Sequence, residues 1–287
     1  MTEQPQKIVA LVDGSTYSTS VCDHAAWLSG RTGAPVELIH VLGRREAPEN
    51  QDLSGAIALG ARTALLEELA ELDAQRAKLV SHRGRAILED AHAILDKAGV
   101  TEITTRLRHG DLIEAVTEVE LDARVIMIGK RGEAADFAKG HLGSNLERVV
   151  RASHKPVFVA SRTFKPISKV LVAYDGGVSA TKAVDHIARN PLFRELEIHL
   201  VTVGSAMPKA QTGLADAKVS LKAAGIEAET SILPGQPETA LGKLLEEARF
   251  DMLVMGAYGH SRIRSLIIGS TTTAMIRSCK VPVVLIR

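Results

Sequence analysis

Short apolar runs alternate with longer amphipathic segments along the whole chain. In the first half these runs are rich in Val, Ile and Leu, are bounded by Gly, Pro or Asp, and are hydrophobic throughout rather than at alternate positions. This pattern predicts strands covered on both faces of a parallel sheet, joined by right-handed helical crossovers. The predicted strands are residues 7–12, 36–41, 102–108, 124–129 and 156–160. The predicted helices between them include Ser18–Gly30 and Asp111–Leu121.

The chain contains one long internal repeat. Lys7–Gly14 recurs as Lys169–Gly176 at an offset of 162 residues, whereas motifs near the end of each half recur at an offset of 126 or 127. The first half therefore carries about 36 additional residues. A polar stretch, Ser161–Pro166, separates the two halves. We predict two tandem doubly wound α/β domains, residues 1–163 and residues 164–287.

The additional residues of the first half lie roughly between Arg44 and Arg83. They comprise a polar segment, Glu46–Asp52, and then leucines at mostly helical spacing. These leucines are Leu65, Leu66, Leu69, Leu72 and Leu79. We interpret the insertion as a lengthened second helix. Two roles for it remain open: an amphipathic helix packed on its own domain, or a lid or partner surface.

Composition excludes several classes of protein. Lys and Arg total 35 against 34 Asp and Glu, and the chain has one Trp, three Tyr and five Phe. A nearly neutral chain with few aromatic residues lacks both the electrostatic attraction and the stacking surfaces of a nucleic-acid reader. No segment reaches the roughly 18 continuous apolar residues that a membrane span requires. We therefore expect a cytoplasmic protein that binds neither nucleic acid nor membrane.

The two cysteines, Cys22 and Cys279, lie far apart and neither forms a Cys-x-x-Cys pair. We expect both to pack as small buried hydrophobic side chains. The histidines show no metal-ligand spacing, and the dinucleotide fingerprint, the P-loop and the Gly-x-Ser-x-Gly elbow are all absent from the sequence. The sequence therefore predicts no metal site and no catalytic residue.

The strongest candidate for ligand chemistry is a glycine-rich region after the fourth strand of the second half. Gly256-Ala-Tyr-Gly259 is followed after nine residues by Gly269-Ser270-Thr271-Thr272, which leads into a predicted helix. Glycines admit an anion to backbone N–H groups, and a helix start offers unpaired donors. An aspartate also follows the first strand of each half, Asp13 and Asp175. As alternatives, the glycines are only helix caps and the Asp-Gly pairs only turns.

These motifs resemble the adenine-nucleotide-binding type of universal stress protein. The shared pattern is Gly-x2-Gly-x9-Gly-Ser, the aspartate after the first strand and the Pro-Val-Val-Leu-Ile ending. The resemblance covers both halves and so implies a tandem universal stress protein. It implies an adenine-nucleotide-hydrolase-like fold, with an open five-stranded parallel sheet in the order 3-2-1-4-5 in each half. It also implies ATP, with Mg²⁺ left open, between the aspartate and the glycine loop.

The resemblance transfers to individual residues most fully in the second half. It implies that Asp175 meets the adenosine, that the backbone of Val203 meets the adenine edge, and that the glycine-rich region holds the ribose and phosphates. The residues implied for ribose and phosphate are Gly256, Gly259, Gly269, Ser270, Thr271 and Thr272.

The first half departs from the family pattern. Ten residues rather than nine separate its two glycine clusters, and Asn145 and Leu146 replace the two threonines. One additional residue shifts backbone donors by up to about 3.5 Å, more than a hydrogen bond tolerates. The corresponding residues, Asp13, Gly129, Gly132, Gly143 and Ser144, are therefore weaker candidates. Lys130 and Arg131 either compensate by charge or are solvated surface.

We expect a stress-response regulatory protein that binds ATP, mainly in its second half, as a signal rather than for turnover. One alternative is a slow ATPase or autophosphorylating enzyme, and another is a non-nucleotide adaptor for a protein or an apolar ligand. In the family the fifth strands mediate dimer pairing, so we predict that the two halves form a pseudo-dimer within the chain. A homodimer and an unidentified protein partner remain open.

Overall fold

The computed structural model describes residues 6–43, 59–132, 144–205, 207–257 and 269–287. Its first half contains β1 (Lys7–Leu11), α1 (Thr16–Thr32), β2 (Val36–Leu42), α2 (Leu59–Lys97), β3 (Ile103–His109), α3 (Leu112–Glu120), β4 (Ala123–Gly129), α4 (Ser144–Ala152) and β5 (Val157–Ala160). Its second half contains β6 (Lys169–Ala173), α5 (Val178–Arg189), a 3-10 helix (Pro191–Glu195), β7 (Glu197–Val203), α6 (Pro208–Ala223), β8 (Ala228–Leu233), α7 (Pro237–Glu247), β9 (Met252–Gly256), α8 (Ser270–Ser278) and β10 (Val283–Ile286).

All ten strands form one continuous sheet. Its order is β3-β2-β1-β4-β5-β10-β9-β6-β7-β8, which repeats the predicted 3-2-1-4-5 order in each half. Every pair within a half is parallel. β5 and β10 are antiparallel, with Phe158 opposite Val284, so the predicted pairing of the fifth strands within the chain is observed. The segment that contains the proposed domain boundary joins β5 to β6.

The sheet is covered on both faces, as the uniformly apolar strands predict. One buried cluster includes Ile8 and Val170, and the other includes Val9 and Leu171, so that neighbouring positions of a strand point into opposite layers. Cys22 and Cys279 are both buried free thiols, and burial raises their pKa to about 12 and about 11 respectively. The expectation that they pack as hydrophobic side chains is confirmed.

Two cations reach across from one half to the other. The Lys130 ammonium donates to the Cys279 carbonyl at the end of α8. In the other direction, the Arg287 Nη1 donates to the Arg151 carbonyl near the end of α4, at 2.8 Å. Cations at helix C-termini satisfy unpaired carbonyls and oppose the negative end of the helix dipole. The two contacts therefore supplement the β5–β10 pairing between the halves.

α2 has 39 residues, whereas α6, its counterpart in the second half, has 16. The lengthened helix is thus observed, although the polar segment Glu46–Asp52 lies outside the described residues. Only its C-terminal part is packed: Gly84, Leu88, Ala91 and Leu95 are buried, whereas no side chain between positions 65 and 83 is. Six positions of the N-terminal part, 65, 69, 73, 77, 80 and 81, are half-buried. Packing on its own domain is therefore observed for the C-terminal part of α2, and the role of residues 65–83 stays open. None of the helices in the described ranges is long and apolar enough to cross a bilayer.

His24 on α1 is a buried titratable group beside the segment that joins the halves. Its Nδ1 bonds the Ser20 carbonyl at 2.6 Å, and its ring packs against Phe158 and Phe164 at centroid distances of 5.2 and 4.9 Å. Burial lowers the pKa of His24 to about 4, and the Ser20 hydrogen bond opposes this shift only in part. His24 is therefore neutral in the folded protein at pH 7.

We expect protonation of His24 to destabilise the fold below about pH 6.5. The unfolded imidazole titrates near 6.5 and the folded one near 4, so the unfolded state binds more protons between these values. The free energy of unfolding should therefore fall by about 2 kcal/mol between pH 7 and pH 5 through His24 alone. Urea unfolding of the wild type and of His24→Phe at both pH values measures the difference. Equal pH dependence of the two proteins would contradict the prediction.

Candidate functional site

The candidate site lies where the strand order of the second half reverses. From β6 the chain continues to β7 and β8 on one side, and β9 lies on the other. Asp175 follows the end of β6, Val203 is the last residue of β7, and Gly256 is the last residue of β9. Because the three strands are parallel neighbours, these residues lie at one edge of the sheet. Ligands of doubly wound folds bind at this kind of edge.

The turn after β6 is open at its second residue. The Asp175 Oδ1 accepts a hydrogen bond from the Gly177 N–H at 2.8 Å, which fixes the turn. Gly176 has a φ of +73°, and no atom of the described residues lies within 4 Å of the position that a Cβ would occupy. Gly177 then precedes α5 as an N-cap with no side-chain hydrogen bond. Backbone at this turn can be approached closely by another molecule.

The structure gives Gly256 a packing role. A Cβ at Gly256 would lie 2.8 Å from the Ser179 Cβ and 3.2 Å from the Ala180 backbone nitrogen. The glycine therefore allows α5 to approach β9 closely. The sequence prediction placed Gly256 against the ribose and phosphates. A contact with a nucleotide would be a second reason for glycine at this position, besides the close approach of α5.

α8 begins at the same edge of the sheet. Gly269 is its N-cap and makes no side-chain capping bond, and Ser270, its first residue, is exposed. The Gly269 N–H points to the Ala257 carbonyl at 3.4 Å, which holds the start of α8 beside the end of β9. The first N–H groups of a helix have no partner within the helix and carry its positive dipole end. The helix start and the open turn after β6 therefore share one edge.

The two threonine hydroxyls of this helix are already engaged. Thr272 is buried and its Oγ1 donates to the Gly256 carbonyl at 3.2 Å. The Thr271 Oγ1 donates to the Glu238 carboxylate at 3.1 Å. Both hydroxyl protons are thus used to fix α8 on its neighbours, so contact of Thr271 or Thr272 with a phosphate would have to come from the backbone N–H groups. Sequence reasoning missed Glu238, for which an acidic residue in the first turn of α7 is the only signal.

Gly259 and Gly143, both predicted to contact phosphate, lie outside the described residues. The remaining predicted residues are brought to the carboxyl edge of their own half of the sheet. In the second half these are Asp175, Val203, Gly256, Gly269, Ser270, Thr271 and Thr272, and in the first half Asp13, Gly129, Gly132 and Ser144.

The corresponding edge of the first half is more closed. A Cβ at Gly132 would lie 2.8 Å from the Asp13 Oδ2, so this loop packs directly on the carboxylate. The side chain of Ile87, from α2, covers Gly14, with its Cδ1 2.9 Å from where a Cβ would be. Ser15 caps α1 with its own hydroxyl, whereas its counterpart, Gly177, has none. The two halves share a backbone plan but offer different access at this edge.

Lys130 has neither of the roles considered from sequence. Its side chain is buried and its ammonium donates to the Cys279 carbonyl, so it neither faces a phosphate nor lies on the solvated surface. Burial lowers the pKa of Lys130 to about 8, and the nearby Arg131 acts in the same direction. Leu146, which replaces the position of Thr272, is buried in the core. Leu146 therefore cannot make a threonine link between α4 and β4, and the Lys130 ammonium is already engaged by the Cys279 carbonyl.

Comparison with known proteins agrees with the fold and with the internal repeat. The model of the universal stress protein family matches twice, over residues 5–161 and 166–287. The chain belongs to this family. A universal stress protein of Synechocystis sp. is 38% identical over 286 residues, covering 98% of this chain and 100% of the relative. A second relative, from Mycobacterium tuberculosis, is 24% identical over 75% of this chain and 78% of its own length.

A solved universal stress protein from Archaeoglobus fulgidus shares the architecture. It covers 99% of both chains with a TM-score of 0.74 at 22% sequence identity. The fold of the whole chain, both halves included, is therefore also found in an experimental structure. The tandem organisation predicted from the sequence is confirmed.

Proposed function

We propose that the chain is a stress-response protein whose second half binds ATP as a regulatory signal. The observation that carries this proposal is the uncapped start of α8 beside Asp175 at the switch point of the second half. The start of α8 offers donors to an anion, and a carboxylate beside an open turn suits the hydroxyls of a ribose. A nucleoside phosphate carries both groups, which is why we favour it over a simple anion.

The triphosphate would lie at the start of α8. The backbone N–H groups of Ser270 and Thr271 are within the first turn, where helix geometry leaves them without a partner in the helix. Ser270 is exposed, so its hydroxyl adds a donor. Thr271 and Thr272 would act through their backbone and by holding the helix, because their hydroxyls bond Glu238 and Gly256.

The adenosine would lie over the turn after β6. Asp175 and Val203 end neighbouring strands, and Gly176 leaves space above the turn. In the first half, the Ile87 side chain packs against the equivalent turn at Gly14. This contrast supports assigning the nucleotide to the second half.

Calorimetric titration of ATP, with and without Mg²⁺, tests the proposal on a matched pair of variants. We expect Asp175→Ala to weaken binding at least tenfold, because a charge-assisted hydrogen bond contributes about 1.5 to 3 kcal/mol. Asp13→Ala should leave the affinity within about twofold. Each aspartate accepts from the N–H two residues on, at 2.8 Å for Asp175 and 3.0 Å for Asp13, and Asp13 also accepts from the Ser18 hydroxyl at 3.1 Å. A loss of affinity confined to Asp175→Ala therefore does not come from a disturbed turn.

Two results would overturn the assignment. Wild-type protein that binds no ATP would exclude the proposed function, and binding lost in Asp13→Ala but retained in Asp175→Ala would place the site in the first half. Circular dichroism of each variant checks that the fold is intact. Phosphate release in the same samples distinguishes a bound signal from turnover, since about 1 s⁻¹ is the low end of typical enzyme turnover.

A further inference from the structure

Three polar side chains make a row of contacts across the outer two strands of the second half. The His199 Nε2 lies 2.7 Å from the Ser231 hydroxyl oxygen, and the His199 Nδ1 lies 3.3 Å from a carboxylate oxygen of Glu229. His199 lies on β7, whereas Ser231 and Glu229 lie on β8, the strand at the end of the described sheet. The imidazole therefore joins a hydroxyl to a carboxylate through its two ring nitrogens.

The register of the two strands fixes this geometry. β7 and β8 are parallel, with His199 opposite Glu229 and Val201 opposite Ser231. Residues two apart on a strand share one face of the sheet, so Glu229 and Ser231 present their side chains to the same imidazole, one directly opposite and one diagonally. The Phe250 ring packs nearly perpendicular to that imidazole at a centroid distance of 5.7 Å. The histidine is thus oriented by a strand pair and by an aromatic contact.

The position of the imidazole proton follows from these partners. A carboxylate only accepts hydrogen bonds, so Glu229 favours the tautomer of His199 that carries its proton on Nδ1. Nε2 is then unprotonated and accepts the Ser231 hydroxyl proton. This is the arrangement in which a general base activates a serine nucleophile.

The first half fills the same positions with a different pair. By strand register, Glu37 takes the place of His199 and Arg106 takes the place of Ser231. The Arg106 Nη2 lies 2.6 Å from a Glu37 carboxylate oxygen, so these two residues form an ion pair. The fold therefore does not require a serine and a histidine here, because an ion pair makes the same cross-strand contact.

The Ser231 hydroxyl lies at an edge that another molecule can approach. Ser231 is partly exposed, and β8 is the outermost strand of this half in the described sheet. The Leu233 carbonyl accepts from the Gly204 N–H, which follows β7. Because backbone groups alternate in direction along a strand, the Ile232 N–H points away from β7. The residue after the serine thus offers a donor to the carbonyl oxygen of a bound molecule.

We propose that Ser231 is a nucleophile for carboxylic esters, that His199 is its general base, and that Glu229 positions the imidazole. The Ser231 oxygen bonds to the ester carbonyl carbon while the hydroxyl proton passes to His199 Nε2. The bond from that carbon to the alcohol oxygen then breaks, and the same proton passes to the departing alcohol. Water attacks the acyl-serine by the same route, which releases the carboxylic acid and restores the hydroxyl.

The open position of the site indicates the class of ester. The Glu229 side chain is 85% exposed and Ser231 is partly exposed, so the site faces solvent rather than an enclosed pocket. Small esters with a good leaving group need little binding surface and therefore suit it. The proposal uses none of the residues assigned to the nucleotide and does not depend on ATP binding.

Labelling with diisopropyl fluorophosphate tests the nucleophile. We expect peptide mapping to find one adduct, on Ser231, in which an O–P bond has replaced the P–F bond and fluoride has left with the hydroxyl proton. Ser231→Ala should abolish the adduct. His199→Gln should slow its formation at least hundredfold, because a general base contributes about 10²- to 10⁴-fold to a rate.

Ser278→Ala is the control for accessibility. Ser278 is exposed, but its hydroxyl donates to the Ala274 carbonyl at 3.0 Å instead of meeting an imidazole. We expect this serine to stay unlabelled in the wild type and Ser278→Ala to label at the wild-type rate. Urea unfolding of each variant checks that the fold is intact.

Glu229→Ala tests the positioning role. The ¹⁵N NMR signals of the His199 imidazole report which ring nitrogen carries the proton. We expect the proton on Nδ1 in the wild type, and a shift of the population toward Nε2 in Glu229→Ala together with severalfold slower labelling. A tautomer that does not change in Glu229→Ala would contradict this role.

Hydrolysis of 4-nitrophenyl acetate tests the whole reaction. Wild type should release 4-nitrophenol faster than buffer and carry acetate on Ser231, and Ser231→Ala should do neither. The proposal would be overturned by wild type that gains no adduct on Ser231. It would also be overturned by labelling that persists in Ser231→Ala, or by labelling of His199→Gln at the wild-type rate.

Discussion

Replacing Ser270 with glutamate is expected to weaken ATP binding by more than about a hundredfold. Ser270 is the exposed first residue of α8, where the proposed site receives the triphosphate. A carboxylate there occupies the positive end of the helix and repels the phosphates, and juxtaposed like charges cost several kcal/mol. Acidic residues stabilise the first turn of a helix, so the substitution should leave the fold intact. Calorimetric titration of ATP measures the loss.

Ser144→Glu is the matched control for this variant. Ser144 is the exposed first residue of α4 and occupies the equivalent position in the first half. If ATP binds in the second half, Ser144→Glu should change the affinity by less than about twofold. A hundredfold loss in Ser144→Glu with unchanged affinity in Ser270→Glu would contradict the assignment.

Val284→Asp is expected to lower the free energy of unfolding by at least about 4 kcal/mol. Val284 is buried in β10, which pairs with β5 on one side and β9 on the other. An aspartate there places an unpaired charge between the two halves, and a buried charge without a partner typically costs 3 to 5 kcal/mol. Because β10 connects the two five-stranded units, the loss affects both. Urea unfolding followed by circular dichroism measures it.

Val219→Asp provides the comparison. Val219 lies on α6 and is among the exposed large hydrophobic residues, so the same substitution buries no charge there. We expect its effect to stay within about 0.5 kcal/mol, the usual range for surface substitutions. Similar losses in the two variants would mean that the centre of the sheet does not carry the stability assigned to it.

Much of the fold could be predicted because it depends on local patterns and on one repeat. A short run with consecutive apolar residues, such as that within the predicted strand 124–129, favours a parallel strand covered on both faces, and β4 is observed at Ala123–Gly129. The strand order came from the family resemblance, and the pairing of β5 with β10 followed from the need to cover two apolar edges.

Parts of the candidate site could not be predicted, because they depend on which neighbours each side chain meets. The sequence shows that Thr272 can donate a hydrogen bond but not that the Gly256 carbonyl lies within reach of it. Lys130 beside a glycine suggests an anion site. The antiparallel pairing of β5 with β10, however, brings the end of α8 so close that the Cys279 carbonyl accepts a hydrogen bond from the Lys130 ammonium. The length of α2 that packs on the sheet could not be predicted either, because helical periodicity does not reveal where the sheet beneath a helix ends.

The antiparallel contact between β5 and β10 determines whether the carboxyl edges of both halves can be occupied at the same time. It turns the carboxyl edges of the two halves toward opposite ends of the sheet, so that the start of α4 lies at one end and the start of α8 lies at the other. The ends are separated by about the length of a strand, roughly 20 Å. A molecule seated at one end cannot sterically displace a molecule seated at the other. Occupation of one carboxyl edge therefore leaves the other edge accessible, whatever the ligand.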